Sequence, residues 1–282
     1  MGGALAQVFT IDLAEISAAL AGEDMYFGRQ INGIQANIRR YGHMSELVRF
    51  VCERRQAPGP VKILEIGSWI GASAVTWARA IETHNAGKGQ VICVDPWSDL
   101  RTYRDTGAPY QDMMNLVHEN EIAWRLFHHN IEAGGLGRLV HAFRGTSEKV
   151  LPDLPHGSFD IVFVDGDHLC DAVMVDIGLA APLVKEGGFL CGDDLELQAH
   201  EVSRTEMYAA VEQRVELIRD TATGTIYHPG VALALDKMAL PVNEIDGFWY
   251  ARREASGWSN PDIASRCPIP DHVMQWSARA AI

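Results

Sequence analysis

Three acidic side chains close two apolar runs of this chain. Asp165 follows Phe159–Val164, and the pair Asp193-Asp194 follows Gly188–Cys191 after one glycine. If both runs are strands of one parallel sheet, their carboxyl ends open on the same edge, where ligands bind. Three carboxylates gathered there repel each other unless a cation is present. A hard, oxygen-seeking ion such as Mg²⁺ fits that donor set. Acidic residues after strands also cap helices, and that plainer role stays open for some of these.

A second constellation lies upstream, in Glu65-Ile-Gly67-Ser68-Trp69-Ile-Gly71-Ala-Ser73, between an apolar run and a helical pattern. Glycines at a strand end let the backbone turn sharply and approach a ligand closely. The dinucleotide fingerprint GxGxxG would need glycine where Trp69 stands, so a pyrophosphate has less room here. The loop suits a ligand without phosphate, such as an adenosyl-amino acid, although a glycine turn occurs in any α/β protein. Asp95, ending the run Val91–Val94, is placed to accept hydrogen bonds from ribose hydroxyls. Pro96 and Trp97 next to it offer apolar surface to an adenine. Thr146-Ser147, after the run Leu139–Phe143, form a polar pair suited to the adenine edge, or else an N-cap before Glu148.

The elements that must position these residues follow from the hydrophobic pattern. After the Pro58-Gly59-Pro60 stop, strand-like and helix-like runs alternate: Val61–Ile66, Ala72–Ile81, Val91–Val94, Ala123–Ile131, Leu139–Phe143, Phe159–Val164, Ala172–Val184 and Gly188–Cys191. Such alternation predicts an α/β fold with a parallel sheet and helices on both faces. Gly230–Leu235 and Phe248–Arg252 read as strands of an antiparallel edge hairpin. Residues 1–56 read as a helical cap in which Ser45 starts a helix and Tyr26, Phe27, Tyr41 and Met44 form a lid. Residues 57–254 form the main domain, with an insertion at about 97–122. Residues 255–282, with Pro261, Pro268 and Pro270, read as an irregular extension.

The chain of 282 residues carries a formal net charge of -13, which disfavours a nucleic-acid partner. Its five cysteines are scattered without a CxxC pair, which points to reduced thiols. No signal peptide or membrane-spanning run is recognisable, so the cytoplasm is the expected compartment and a membrane is not an expected partner. The helical N-terminus and the tail suit exchange between subunits, so a homo-oligomer is expected.

Glu65–Ser73, Asp95, Asp165–His168 and Gly192–Asp194 together resemble the class I S-adenosylmethionine-dependent methyltransferases. More narrowly, Phe159–His168 with Leu183–Asp194 resemble the cation-dependent small-molecule O-methyltransferases, including catechol O-methyltransferase and the macrolide-sugar and cephalosporin-pathway enzymes. The resemblance spans roughly residues 61–252. It implies a Rossmann-like, mostly parallel seven-stranded sheet. It implies that Asp165, Asp193 and Asp194 ligate the metal. Glu65, Gly67 and Ser73, with Ser68 and Gly71 of the same loop, would hold the methionine part of the cofactor. Asp95 would hold the ribose and Ser147 the adenine region, with Pro96, Thr146 and Asp165 among the cofactor contacts. Where the catechol enzymes place a lysine base, three residues after the first metal aspartate, this chain has His168. Histidine titrates near neutral pH and suits that role, and Asp167 is the competing base.

The expected reaction is methyl transfer to a metal-bound hydroxyl of a small molecule, deprotonated near pH 7. Trp97, Arg101, Tyr103 and Tyr110 of the insertion are the expected substrate contacts. Rival readings are a metal-independent N-methyltransferase of a small amine, a nicotinamide-dependent dehydrogenase, which the missing GxGxxG disfavours, and a non-catalytic cofactor-binding protein.

Overall fold

A computed structural model describes residues 11–28, 31–35, 37–55, 57–98, 116–118, 120–263 and 267–280. Along the chain come helices α1 (Leu13–Ala21) and α2 (Arg39–Arg54), strand β1 (Val61–Ile66), α3 (Ala72–Asn85) and β2 (Gly89–Asp95). There follow α4 (Ile122–Ala133), β3 (Val140–Arg144), the short α5 (Ser147–Val150), β4 (Phe159–Val164), α6 (Cys170–Ala180) and β5 (Val184–Gly192). The C-terminal third holds α7 (Arg204–Glu212), β6 (Ile218–Arg219), β7 (Ile226–Tyr227), α8 (Pro229–Met238), β8 (Asn243–Ile245), β9 (Phe248–Glu254), β10 (Gly257–Ser259) and α9 (Asp271–Ala280).

The main sheet runs β10-β9-β5-β4-β1-β2-β3. The pairs from β3 to β5 are all parallel, and β9 joins β5 antiparallel. The expected seven positions are present, but the last is shared: β8 pairs with the first half of β9 and β10 with the second. β6 and β7 form a separate two-stranded sheet.

Strand side chains alternate between the two faces, and each face has its own core. Ile63, Ile161, Phe163, Phe189 and Cys191 pack on the side of α2, α3, α4 and α9. Leu64, Ile66, Val162, Val164 and Leu190 pack on the side of α6 and α8. With helices on both sides, β4 is buried at every residue, which explains its nearly continuous apolar run. Its one charged residue, Asp160, is compensated by Arg55 at 2.8 Å, Lys185 at 2.9 Å and the Lys62 N–H at 2.8 Å.

Several sequence-based expectations are corrected here. Gly230–Leu235 lies in α8, not in a strand, and the edge hairpin is β8–β9, turning at Asp246-Gly247. A short apolar run buried all round carries no periodicity that separates strand from helix, and residues 229–235 are all buried. Ser45 does not start a helix; it lies inside α2, 2.9 Å from His84 Nε2. Phe27, Tyr41 and Met44 are core residues rather than a lid. The tail is partly regular: β10 extends the sheet, and α9 packs Trp276 on Phe27 with ring centroids 3.9 Å apart.

Candidate active site

The strand order reverses direction at β1, whose neighbours are β2 on one side and β4 on the other. At such a switch point the loops leaving adjacent strands diverge and open a crevice. A cavity of about 520 Å³ lies there, within the usual range for small-molecule sites. Its walls come from the loops that end β1, β2, β3, β4 and β5 and from the segment before α2.

Gly67 makes the first of these loops possible. Its φ is +82°, and an added Cβ would stand 2.1 Å from the carbonyl oxygen of Asp165. Only glycine lets the β1 loop lie this close to the β4 loop. The loop then turns through Trp69, itself at φ +45°, and the indole Nε1 donates to the Ile31 carbonyl at 2.9 Å. Trp69 lines the cavity at the position where a dinucleotide fingerprint requires glycine.

Asp95 closes β2 and ties two loops together. Its Oδ2 accepts from the backbone N–H groups of Ser68 at 2.9 Å and Trp69 at 3.0 Å, and its Oδ1 accepts from Trp97 N–H at 2.6 Å. Burial raises its pKa against these bonds, which lower it. The carboxylate lines the cavity beside Pro96. Thr146 and Ser147, which follow β3, line the cavity as well. The Thr146 hydroxyl oxygen is buried without a hydrogen-bond partner among the described residues. Ser147 Oγ is hydrogen-bonded to Asp176, whose carboxyl burial pushes up to about 6.

The acidic edge is more heavily bridged than its sequence suggests. Arg40 of α2, 6% exposed, reaches Asp193 at 2.5 Å, Asp194 at 3.1 Å and Glu196 at 2.8 Å. Its Nε donates to the Asp246 carbonyl at 2.7 Å. His168 Nε2 lies 2.9 Å from the other oxygen of Asp194. His228, next to the first turn of α8, is 3.3 Å from Glu196 and 3.8 Å from Asp194. Gln35 Nε2 donates to Asp193 and, at 3.4 Å, to Asp165.

These contacts sort the carboxylates into two kinds. Asp165 and Asp193 are raised well above the ordinary value, by burial first and then by neighbouring carboxylates. Asp194 is held well below it: burial opposes its charge, but His168, His228 and Arg40 outweigh that cost. The same partnership, against burial, raises His168 to about 10, so the imidazole is cationic at neutral pH. This differs from the near-neutral titration expected of His168 in the sequence.

The structure brings Gly67, Asp95, Pro96, Thr146, Ser147 and Asp165 to the cavity wall, together with Asp167, His168 and Asp194. Asp193 sits behind the wall, 3% exposed. Glu65, Ser68, Gly71 and Ser73 are not on the wall. Glu65 is fully buried among Ser68, Ser73 and Cys93, and burial pushes its carboxyl up to about 7. Trp97 is also turned away, buried against Trp124 and Phe127 with its Nε1 on the Trp69 carbonyl at 2.7 Å. Arg101, Tyr103 and Tyr110 lie outside the described residues. Sequence reasoning missed Gln35, Arg40, Glu196 and His228, which lack any motif and meet the acidic edge only through tertiary packing. It also missed Asp176, a mid-helix acid buried by α6 packing.

Comparison with known proteins agrees with this architecture. Residues 64–195 match a family model described as a methyltransferase domain. No curated protein matches the chain. Among solved structures, the cofactor-bound Rv0187 from MTB is 20% identical, with 86% of this chain and 89% of that chain covered and a TM-score of 0.51. A Klebsiella pneumoniae protein provisionally named an O-methyltransferase is 18% identical, with 87% and 92% covered and a TM-score of 0.51. At that identity the likeness is one of fold. No helix among the described residues is long and apolar enough to cross a membrane. The family match falls on the strands and loops that build the crevice, so over residues 64–195 the chain is similar to methyltransferase domains.

Proposed function

We propose that this domain methylates a hydroxyl group of a small molecule with the assistance of a divalent cation. The observation that carries the reading is one cavity joining two chemistries: the Gly67–Asp95 wall, suited to a nucleoside without phosphate, and the Asp165–His168–Asp194 wall, suited to a reacting hydroxyl. The name of the Klebsiella pneumoniae structure is consistent with an oxygen acceptor.

Gly67, Asp95, Pro96, Thr146 and Ser147 would hold the cofactor. The unpartnered Thr146 hydroxyl and the spare lone pairs of Asp95 are the groups available to its polar edges. S-adenosylmethionine supplies an already electrophilic methyl group, so the protein has to provide alignment and proton removal. The domain arrangement suits both needs. The helix α2 and the segment before it form a cap that carries Gln35 and Arg40 to the edge, while the tail braces the cap from behind.

The residues at the acidic edge fit a hard cation. Asp165 and Asp193 bring two carboxylates together beside Asp194, with Arg40 reaching Asp193 and Asp194, and carboxylate oxygens are the donors such an ion takes. A divalent ion bound there would lower the pKa of the acceptor hydroxyl. Asp165 and Asp193 are the residues that would hold it. Asp167 lines the cavity as a carboxylate able to take the hydroxyl proton, whereas His168, paired with Asp194, provides positive charge and orientation.

The test is turnover of radiolabelled S-adenosylmethionine over a panel of hydroxylated and aminated small molecules, with Mg²⁺ or with chelator. Methylation of hydroxyl acceptors that stops in chelator is expected, as is loss of turnover in Asp165→Asn with S-adenosylhomocysteine affinity nearly unchanged. Full activity in chelator would remove the cation from the reading, and transfer to amines alone would replace the acceptor.

A further inference from the structure

Asp176 is an acid on the buried face of a helix. Val173, Ile177 and Ala180, its neighbours on that face of α6, all belong to the core. Asp176 is 7% exposed, yet it lines the cavity. Its Oδ1 accepts from Ser147 Oγ. Its Oδ2 lies against the loop after β4, where a Cβ added at Gly166 would stand 3.1 Å away. No lysine, arginine or histidine pairs with it among the described residues, and the charges that act on it, Asp167 and Glu148, have its own sign. Burying a charge without a counter-charge costs stability. Folding alone therefore gives no reason for an acid at this position, and the cavity does.

The hydrogen bond to Ser147 fixes a polarity. An ionised carboxylate only accepts, so the Ser147 hydroxyl hydrogen is committed to Asp176 and the hydroxyl oxygen keeps its lone pairs for other partners. Ser147 lines the cavity, and toward a ligand there it acts as an acceptor. Next to it, the Thr146 hydroxyl oxygen is buried with no hydrogen-bond partner among the described residues, so its hydrogen is uncommitted. This corner thus offers a fixed acceptor beside an available donor. Adenine presents the complement, an exocyclic amino donor beside a ring-nitrogen acceptor. A purine with an oxo group in place of the amino group presents a carbonyl there, whose lone pairs would face those of Ser147.

We propose that Asp176 is a positioning residue for cofactor selection: by holding the Ser147 hydroxyl hydrogen, it makes this corner of the cavity accept the amino group of an adenosyl ligand and reject an oxopurine. The proposal rests on the cofactor reading above and extends it to a residue in mid-helix, away from the strand ends. It accounts for an uncompensated acid at a position where the rest of the helix face is apolar.

The experiment is calorimetric titration of the full chain with S-adenosylhomocysteine and with S-inosylhomocysteine, in which an oxo group replaces the adenine amino group. A pH of about 7.5 keeps the Asp176 carboxyl, raised by burial to about 6, ionised. The native protein is expected to favour S-adenosylhomocysteine by roughly tenfold or more, the discrimination that one mismatched buried polar group brings. Asp176→Asn keeps the shape and removes the buried charge. Its amide can donate to Ser147 as well as accept, which frees the hydroxyl to face either purine. This variant is expected to bind S-inosylhomocysteine more tightly than the native protein does, and S-adenosylhomocysteine within about threefold of it. Structural damage does not produce such a gain. In a Ser147→Ala background the same substitution should leave the ratio of the two affinities unchanged, because the hydroxyl it acts through is gone. Should Asp176→Asn not fold, Ser147→Ala alone carries the test: it should narrow the ratio, and a native ratio in that variant would overturn the proposal. An unchanged ratio in a folded Asp176→Asn, with both ligands weakened alike, would also overturn it. Equal binding of the two ligands by the native protein would overturn it and leave the cofactor reading standing. A native protein that binds neither would sink both.

Discussion

Replacing Arg40 by methionine tests the electrostatics of the acidic edge most directly. Methionine keeps much of the side chain's apolar stem in place and removes the charge. Arg40 is 6% exposed, and its guanidinium reaches Asp193, Asp194 and Glu196, with distances of 2.5, 3.1 and 2.8 Å. Without it Asp194 keeps only His168 and the more distant His228, Glu196 keeps His228, and Asp193 keeps Gln35. Removing one partner of a buried pair leaves uncompensated charge, at a cost of roughly 3–5 kcal/mol. At about 2–4 °C per kcal/mol for a chain of this size, Tm should fall by roughly 6–20 °C at pH 7. The loss should depend on pH. Arg40 helps hold the pKa values of Asp194 and Glu196 below their ordinary values. Groups depressed in the folded state contribute stability above their unfolded pKa and lose it as pH falls through the folded value. The gap between native protein and variant should therefore be widest at neutral pH and narrow below about pH 4. Arg40→Lys should fall between the two, because one ammonium cannot span three carboxylates and a carbonyl. Calorimetric scans in metal-free buffer from pH 3 to 8 provide the assay. A methionine variant that melts with the native protein at pH 7 would refute the reasoning, since these contacts could not then exist in solution.

Other expectations follow from equally local features. Gly67→Ala places a Cβ against the Asp165 carbonyl at a φ of +82°, combining a conformational cost of about 1–3 kcal/mol with a backbone clash. The β1 and β4 loops must separate, and S-adenosylhomocysteine affinity by calorimetry should drop by at least about tenfold, equivalent to 1.4 kcal/mol; native affinity would show that the two loops need not touch. At the back of the molecule His272 Nε2 lies 3.2 Å from Thr76 Oγ1, whose own hydrogen is on the Ala72 carbonyl. His272 must therefore be the donor there. Burial, with Arg79 nearby, lowers its pKa to about 4. Between about pH 6.5 and that value the unfolded chain binds a proton the folded one does not, so stability falls on acidification, by up to about 3 kcal/mol. His272→Gln keeps a donor and should flatten that part of the stability-against-pH curve; an unchanged slope would exclude His272 as its source.

Much of the architecture is visible in the chain itself. Parallel strands covered on both faces are mostly apolar, so β1, β2 and β4 appear as near-continuous apolar runs, each ending at the polar or glycine residue that turns toward the ligand edge. For that reason Gly67, Asp95, Asp165 and the Asp193-Asp194 pair can be located as strand-end positions from residue order alone. What fails is the C-terminal third. Gly230–Leu235 is buried on all sides, and burial on all sides erases the period that distinguishes helix from strand. β9 is legible because its aromatic run starts right after the Asp246-Gly247 turn and ends in charged residues.

The balance of charge at the site is decided elsewhere. The sequence alone requires a counter-charge for three gathered carboxylates, because like charges in a poorly solvated edge repel whatever surrounds them. It cannot say which counter-charge. Arg40 lies 153 residues before Asp193, and only the packing of α2 against the sheet, with Gly247 leaving space, brings the guanidinium within 2.5 Å. The same packing sets Gln35 between Asp165 and Asp193, pairs His168 with Asp194, and turns Glu65 and Trp97 away from the cavity. Residue type and local spacing determine what chemistry a strand end can offer; electrostatic environment falls off over a few ångströms in space, and distance in space is a property of the fold.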